Sequence, residues 1–130
     1  MYNDYDRYDS LDEFKKDILY KRIVEWTEDK LVLEDGKVLT LQTSEQDCCA
    51  GAYGKFSNVT LDAMITDVVL GEEVNVEDWD TIVNEVQLNI FHNQNSIAQA
   101  NMTANAGNGG YYYSVGSVVV DNKHFNIVSA

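Results

Sequence analysis

Proline is absent from this chain, and cysteine occurs only as the adjacent pair Cys48 and Cys49. Without proline, one ordinary guard against edge-to-edge strand pairing is missing. Adjacent cysteines also lack the separation along the chain that zinc fingers and ribbons use, so one closed zinc site is disfavoured. Cations are missing over half the sequence: no Lys or Arg lies between Lys55 and Lys123, while Asp62, Asp67, Glu72, Glu73, Glu77, Asp78, Asp80, Glu85 and Asp121 all do. With a formal net charge of -13, the chain lacks the cations that displace phosphate counterions. A direct nucleic-acid reader is therefore not expected, nor is binding to an anionic membrane.

The first residues, Met1 to Arg7, are acidic and precede no apolar run. Neither a secretory signal peptide nor a membrane span is expected, which places the chain inside a cell with its thiols reduced. The sequons at Asn58 and Asn101 then carry no glycosylation message.

What is present suits one folded unit. A chain of 130 residues, 45% of them hydrophobic, fits a single domain with one modest core. Residues 1–9 repeat tyrosine at Tyr2, Tyr5 and Tyr8 with aspartates between. Too poor in aliphatics to fold alone, they read either as a frayed arm or as a strap whose rings dock on a neighbour, and residues 10–130 read as the domain.

Ser10-Leu11-Asp12-Glu13 reads as a capping box opening a short helix whose Leu11, Phe14 and Ile18 share a face and which ends near Tyr20. Strands then follow: Arg22–Trp26, Leu31–Leu33, and Val38–Gln42 after the Asp35-Gly36 hairpin signal. Further strands are predicted over 63–70, 81–91, 111–120 and 124–128. Residues 93–110 are uncharged and rich in Asn, Ala, Gln and Gly, and read as a loop or a short irregular strand bearing Ile97 and Ala98. The expected fold is mainly β: an antiparallel sandwich or open barrel of about seven or eight strands with one short N-terminal helix.

Four readings compete for Cys48 and Cys49. A soft metal site would need His92 or His124 as further ligands. A nucleophilic Cys–His pair oriented by Asp47 has no spacing signature, and Asp47 would raise the thiol pKa. A strained vicinal disulfide acting as a redox switch is a third. Packing is the fourth, and it is the expectation: neighbouring side chains in extended backbone diverge to opposite faces, and a free buried cysteine behaves as a small hydrophobe.

Glu72, Glu73, Glu77, Asp78 and Asp80 lack the order of an EF-hand loop and read as solvated acidic surface. No phosphate-cradling glycine motif occurs. In Tyr111-Tyr112-Tyr113, alternation sets the middle ring opposite its neighbours, so at least one ring meets solvent or a partner.

Taken together, Arg22-Ile23-Val24, Leu31 to Leu41, Asp47-Cys48-Cys49-Ala50, Ile65-Thr66-Asp67-Val68 and Asn108-Gly109-Gly110-Tyr111-Tyr112 resemble a family of short uncharacterised proteins common in tailed-bacteriophage genomes and some Gram-positive bacteria. The resemblance covers residues 18–120. It implies a source, with Asp47, Cys48 and Cys49 as a family core feature, and it brings no catalytic residues. Gly110 is an extra glycine in the late turn.

The expected function is a non-enzymatic, phage-encoded module that binds a protein partner through its acidic and tyrosine-bearing surface, including inhibition of a host factor. The alternatives are a virion accessory or decoration protein whose arm contacts neighbouring subunits, and a Cys/His metal or thiol site. No cofactor is expected. Self-association is compatible with the sequence, and the expected location is the host cytoplasm or the virion.

Overall fold

The computed structural model describes residues 5–77 and 81–130. Tyr2, the side chain of Glu77, Asp78 and Asp80 lie outside the described residues.

After a two-residue strand β1 (Asp6–Arg7), helix α1 runs over Leu11–Ile18. Ser10 caps it by accepting from the Glu13 amide at 3.2 Å. Glu13 reaches back one residue further than a strict capping box, accepting from the Asp9 amide at 3.2 Å. The apolar face of the helix is buried through Phe14 and Ile18, and Phe14 stacks on Phe125 with ring centres 5.1 Å apart.

The remaining strands are β2 (Ile23–Thr27), β3 (Lys30–Leu33), β4 (Val38–Gln46), β5 (Gly51–Ser57), β6 (Asp67–Leu70), β7 (Val74–Glu77), β8 (Ile82–His92), β9 (Asn95–Asn105), β10 (Ser114–Val120) and β11 (Lys123–Ser129). One sheet has the order β1-β11-β10-β4-β3-β2, antiparallel except for the parallel β1–β11 pair. The other has the order β5-β9-β8-β6, with β7 also paired to β8. Between them lies the core: Leu31, Leu39, Val118 and Phe125 from the first sheet meet Phe56, Leu88, Ile90 and Met102 from the second. The class is the expected one, mainly β with two antiparallel-rich layers and one short helix.

The strand number exceeds the expectation, because β1, β5 and β7 join the predicted strands and residues 95–105 form a long regular strand inside the second sheet. In β9 the alternation is carried by small residues: Ala98, Ala100, Met102 and Ala104 are buried, while Gln99, Asn101 and Thr103 face outward. Alanine contributes little hydrophobic signal, so this period-two pattern resembles a polar loop in composition.

The Asp35-Gly36 signal gives the hairpin it predicts. Gly36 adopts φ +90 and its amide donates to the Leu33 carbonyl at 2.9 Å.

Candidate functional site

The chain crosses from the first sheet to the second between β4 and β5, through Asp47-Cys48-Cys49-Ala50, and returns between β9 and β10, through Ala106 to Tyr113. Both crossings occur at the same end of the sandwich. The two sequence features singled out by the resemblance therefore pack against each other.

The first crossing is a tight turn. The Ala50 amide donates to the Asp47 carbonyl at 3.3 Å, and the Asp47 amide donates to the Tyr113 carbonyl at 2.8 Å. Cys49 has φ +78, in the left-handed region that L-residues seldom occupy. Both cysteines are exposed, and their sulfurs lie 2.6 Å apart. The expectation of divergent, buried thiols is overturned. Divergence requires extended backbone on both residues; here the chain reverses, and the left-handed Cys49 turns its sulfur toward the side of Cys48. The hydrogen bond to Cys49 pushes the Cys48 thiol above its usual range, and the charge of Cys49 and then that of Asp47 act in the same direction.

The second crossing is built on glycine. Gly107, Gly109 and Gly110 all have positive φ. A β-carbon on Gly107 would fall 2.7 Å from both the Cys49 carbonyl oxygen and the Tyr112 ring, so the two crossings touch at this point. The Tyr112 amide donates to the Ala106 carbonyl at 2.7 Å, which sets its ring inward over Gly107. Tyr111 is 89% exposed and Tyr113 44%. The predicted alternation of the three rings holds, although the run precedes β10 instead of lying within it.

Sequence reasoning passed over Ser114, a fully buried hydroxyl at the start of β10. Its Oγ lies 3.0 Å from the Gly51 carbonyl oxygen and 2.7 Å from that of Asn105, linking the first residue of β5 and the last of β9 to β10. The only signal was a serine immediately after the tyrosines.

The described part of the arm, residues 5–9, docks on its own domain. Tyr8 is buried, its hydroxyl donates to Asp17 Oδ2 at 2.6 Å, and its ring meets Phe14 edge-on with Lys123 Nζ 4.6 Å away. Burial first, and then the hydrogen bond to Asp17, hold its hydroxyl pKa well above the usual phenol value. Tyr5 donates to Glu45 Oε2 at 2.6 Å and leans on the His124 ring. Glu45 also faces Tyr113, whose pKa is raised by burial and then by Glu45, with Arg7 opposing.

The acidic residues separate. Glu73 lines a shallow 160 Å³ depression with Tyr113 and Asn126, whereas Glu72 borders an open groove of about 500 Å³ with Val74, Glu85 and Gln87. Among the described residues, no group of three or more His, Cys, Asp or Glu is placed to hold a metal ion. His124 pairs with Val119, five residues along β10 from Ser114, which pairs with Gln46 beside the cysteine turn. That spacing is roughly 16 Å. His92 sits at the opposite end of β8 from Ile82, with Nδ1 2.8 Å from the Met64 carbonyl oxygen. Neither imidazole is brought to the thiols. His124 instead contacts Ser44 Oγ through Nδ1 at 2.7 Å, in a chain continuing through Ser117 to Asn126, and burial lowers its pKa.

No described helix is long and apolar enough to cross a membrane. The chain matches no curated protein and no solved structure. Residues 16–119 match the model of a domain of unknown function, DUF7448, a span that contains both crossings, and the chain therefore belongs to that family.

Proposed function

We propose that this domain is a non-enzymatic, phage-encoded protein-binding module whose contact surface is the crossing end of the sandwich, where it occupies and inhibits a host protein. The observation that carries this reading is the exposure of Tyr111 and Tyr113 on a fixed base. Their neighbour Tyr112 is packed over Gly107, and the Tyr113 carbonyl is bonded to the Asp47 amide. Rigidly presented tyrosines offer large contact area at low entropic cost. Ile82, 47% exposed, lies beside Gly110 and extends the apolar part of the patch. Asp47, Glu45 and Glu73 border it with negative charge, which favours a partner with an apolar centre and a basic rim. The source of the chain in a phage rests on the family resemblance of its two motifs.

A strap-like virion role draws no support from the described residues of the arm, because Tyr5 and Tyr8 are engaged within their own chain.

The test is capture from host lysate by the wild-type domain and by a Tyr111→Ala, Tyr113→Ala double variant. The wild type should retain one partner that the folded double variant loses, with retention weakening as salt screens the acidic rim. Equal retention by both proteins would remove the surface from consideration.

A further inference from the structure

We propose that Cys48 and Cys49 are a redox-modification site: an exposed vicinal dithiol that closes to an intramolecular disulfide by exchange with a low-molecular-weight disulfide, and reopens with the corresponding thiol. Several independent features of the turn support this assignment. Both residues are exposed, so a small disulfide reaches them without local unfolding. Their sulfurs already share one side of the turn at 2.6 Å, so the second thiol stands at the site of any mixed disulfide formed by the first. The arrangement is held from outside the pair as well as within it: Ala50 bonds to Asp47, Asp47 to Tyr113, and the Cys49 carbonyl abuts Gly107.

The exchange balances in two steps. One cysteine, as its thiolate, attacks one sulfur of the small disulfide RSSR; a Cys–S–S–R bond forms, the S–S bond of RSSR breaks, and one RS⁻ leaves and takes a proton from water. The other cysteine then attacks the protein sulfur of that mixed disulfide, forming the Cys48–Cys49 bond and releasing the second RS⁻. Two protein thiols are oxidised and one small disulfide is reduced to two thiols. Because the resolving sulfur is in place, this second step outpaces attack by another protein molecule.

Adjacency also sets the character of the product. Consecutive α-carbons stand about 3.8 Å apart, inside the roughly 4.4–6.8 Å that disulfides ordinarily span. The closed ring is thus under tension and easily reduced. Such bonds belong to the labile, regulatory group and not to structural staples. With no other cysteine in the chain, no internal competitor exists.

The experiment uses the reduced full-length protein equilibrated with mixtures of oxidised and reduced glutathione, followed by intact mass and thiol titration. Wild type should lose two hydrogens and both titratable thiols together, without forming dimers, and should recover both on added reduced glutathione. Cys48→Ser and Cys49→Ser should each stop at one glutathionyl adduct. Accumulation of glutathionyl adducts on the wild type, covalent dimers, or two persistent thiols in fully oxidised glutathione would each overturn the assignment. None of these readouts depends on partner capture, so this assignment and the binding surface stand or fall separately.

Discussion

The carbonyl oxygen of Cys49 occupies the space that a side chain on Gly107 would need. A β-carbon there would lie 2.7 Å from that oxygen and 2.7 Å from the Tyr112 ring, on a residue with φ +70. Gly107→Ala therefore combines a left-handed backbone penalty with a backbone collision, and the expected loss of stability is about 1–3 kcal/mol. Gly109→Ala is the internal comparison, because its β-carbon would meet only the exposed Tyr111 ring at 3.0 Å, a group free to move aside. Urea midpoints at unchanged m-value should place Gly107→Ala clearly below Gly109→Ala. Equal costs would mean that the two crossings do not bear on each other.

Tyr8 decides whether the arm belongs to the domain. Its ring is buried and its amide donates to the His124 carbonyl at 2.9 Å. Tyr8→Phe should cost about 1 kcal/mol through the lost bond to Asp17, and Tyr8→Ala about 3–5 kcal/mol through lost packing. The folded-state pKa of this hydroxyl is raised, so its stabilising contribution is complete below the unfolded phenol value of about 10 and is lost as pH rises beyond it. Wild type should lose stability between pH ~10 and ~11 more steeply than Tyr8→Phe. Matching alkaline profiles would detach Tyr8 from the fold.

Met102 spans the space between two glycines on opposite sheets. A β-carbon on Gly116 would approach its Cε at 2.6 Å, and one on Gly54 its Sδ at 2.5 Å and the Asn101 carbonyl oxygen at 2.6 Å. Met102→Ala should cost about 2–5 kcal/mol and Gly116→Ala about 1–3 kcal/mol by overpacking. The double variant should cost less than their sum, since the new methyl occupies part of the space that the terminal methyl of Met102 leaves. Simple additivity in the denaturation cycle would deny the contact.

These residues mark the limit of what the sequence discloses. The helix start at Ser10, the Asp35-Gly36 hairpin and the alternation of Val86, Leu88 and Ile90 were legible because each depends on local chemistry: a side-chain cap, a positive φ, a strand period. Gly54, Gly116 and the alanines of β9 were not, because their smallness answers to Met102 and the opposite sheet, which only the folded chain brings near. The cysteine pair shows the same limit. Residue type and adjacency indicated extended backbone, yet whether neighbours diverge or converge depends on where the chain changes sheets, and that is fixed by pairings tens of residues away. The tyrosine run fell between these cases, its alternation readable and its packing against Gly107 hidden.

The charge imbalance gives a prediction whose sign changes with pH. Among the described residues Lys21 pairs with Asp35 at 2.6 Å, Lys15 with Asp67 at 2.7 Å, Lys123 with Glu13 at 2.6 Å and Lys55 with Glu28 at 3.6 Å. Lys21, Lys15 and Lys123 hold the carboxyls of Asp35, Asp67 and Glu13 below the usual carboxylate range. Depressed folded-state values mean that these contributions are complete above the unfolded values of about 4 and are lost as pH falls through the folded ones. Opposing them at neutral pH is self-repulsion from a net charge of -13. Exposed pairs are individually worth little, so repulsion dominates at pH 7, and salt up to about 1 M, which shortens the Debye length to about 3 Å, should raise Tm there. Near the sequence pI of 4.2 the repulsion has vanished while the close pairs persist in part, so the same salt should leave Tm unchanged or lower it. Thermal unfolding across a salt series at the two pH values checks this. A Tm that falls with salt at pH 7 would show that the four pairs, and not the surplus of acids, govern the electrostatics of the fold.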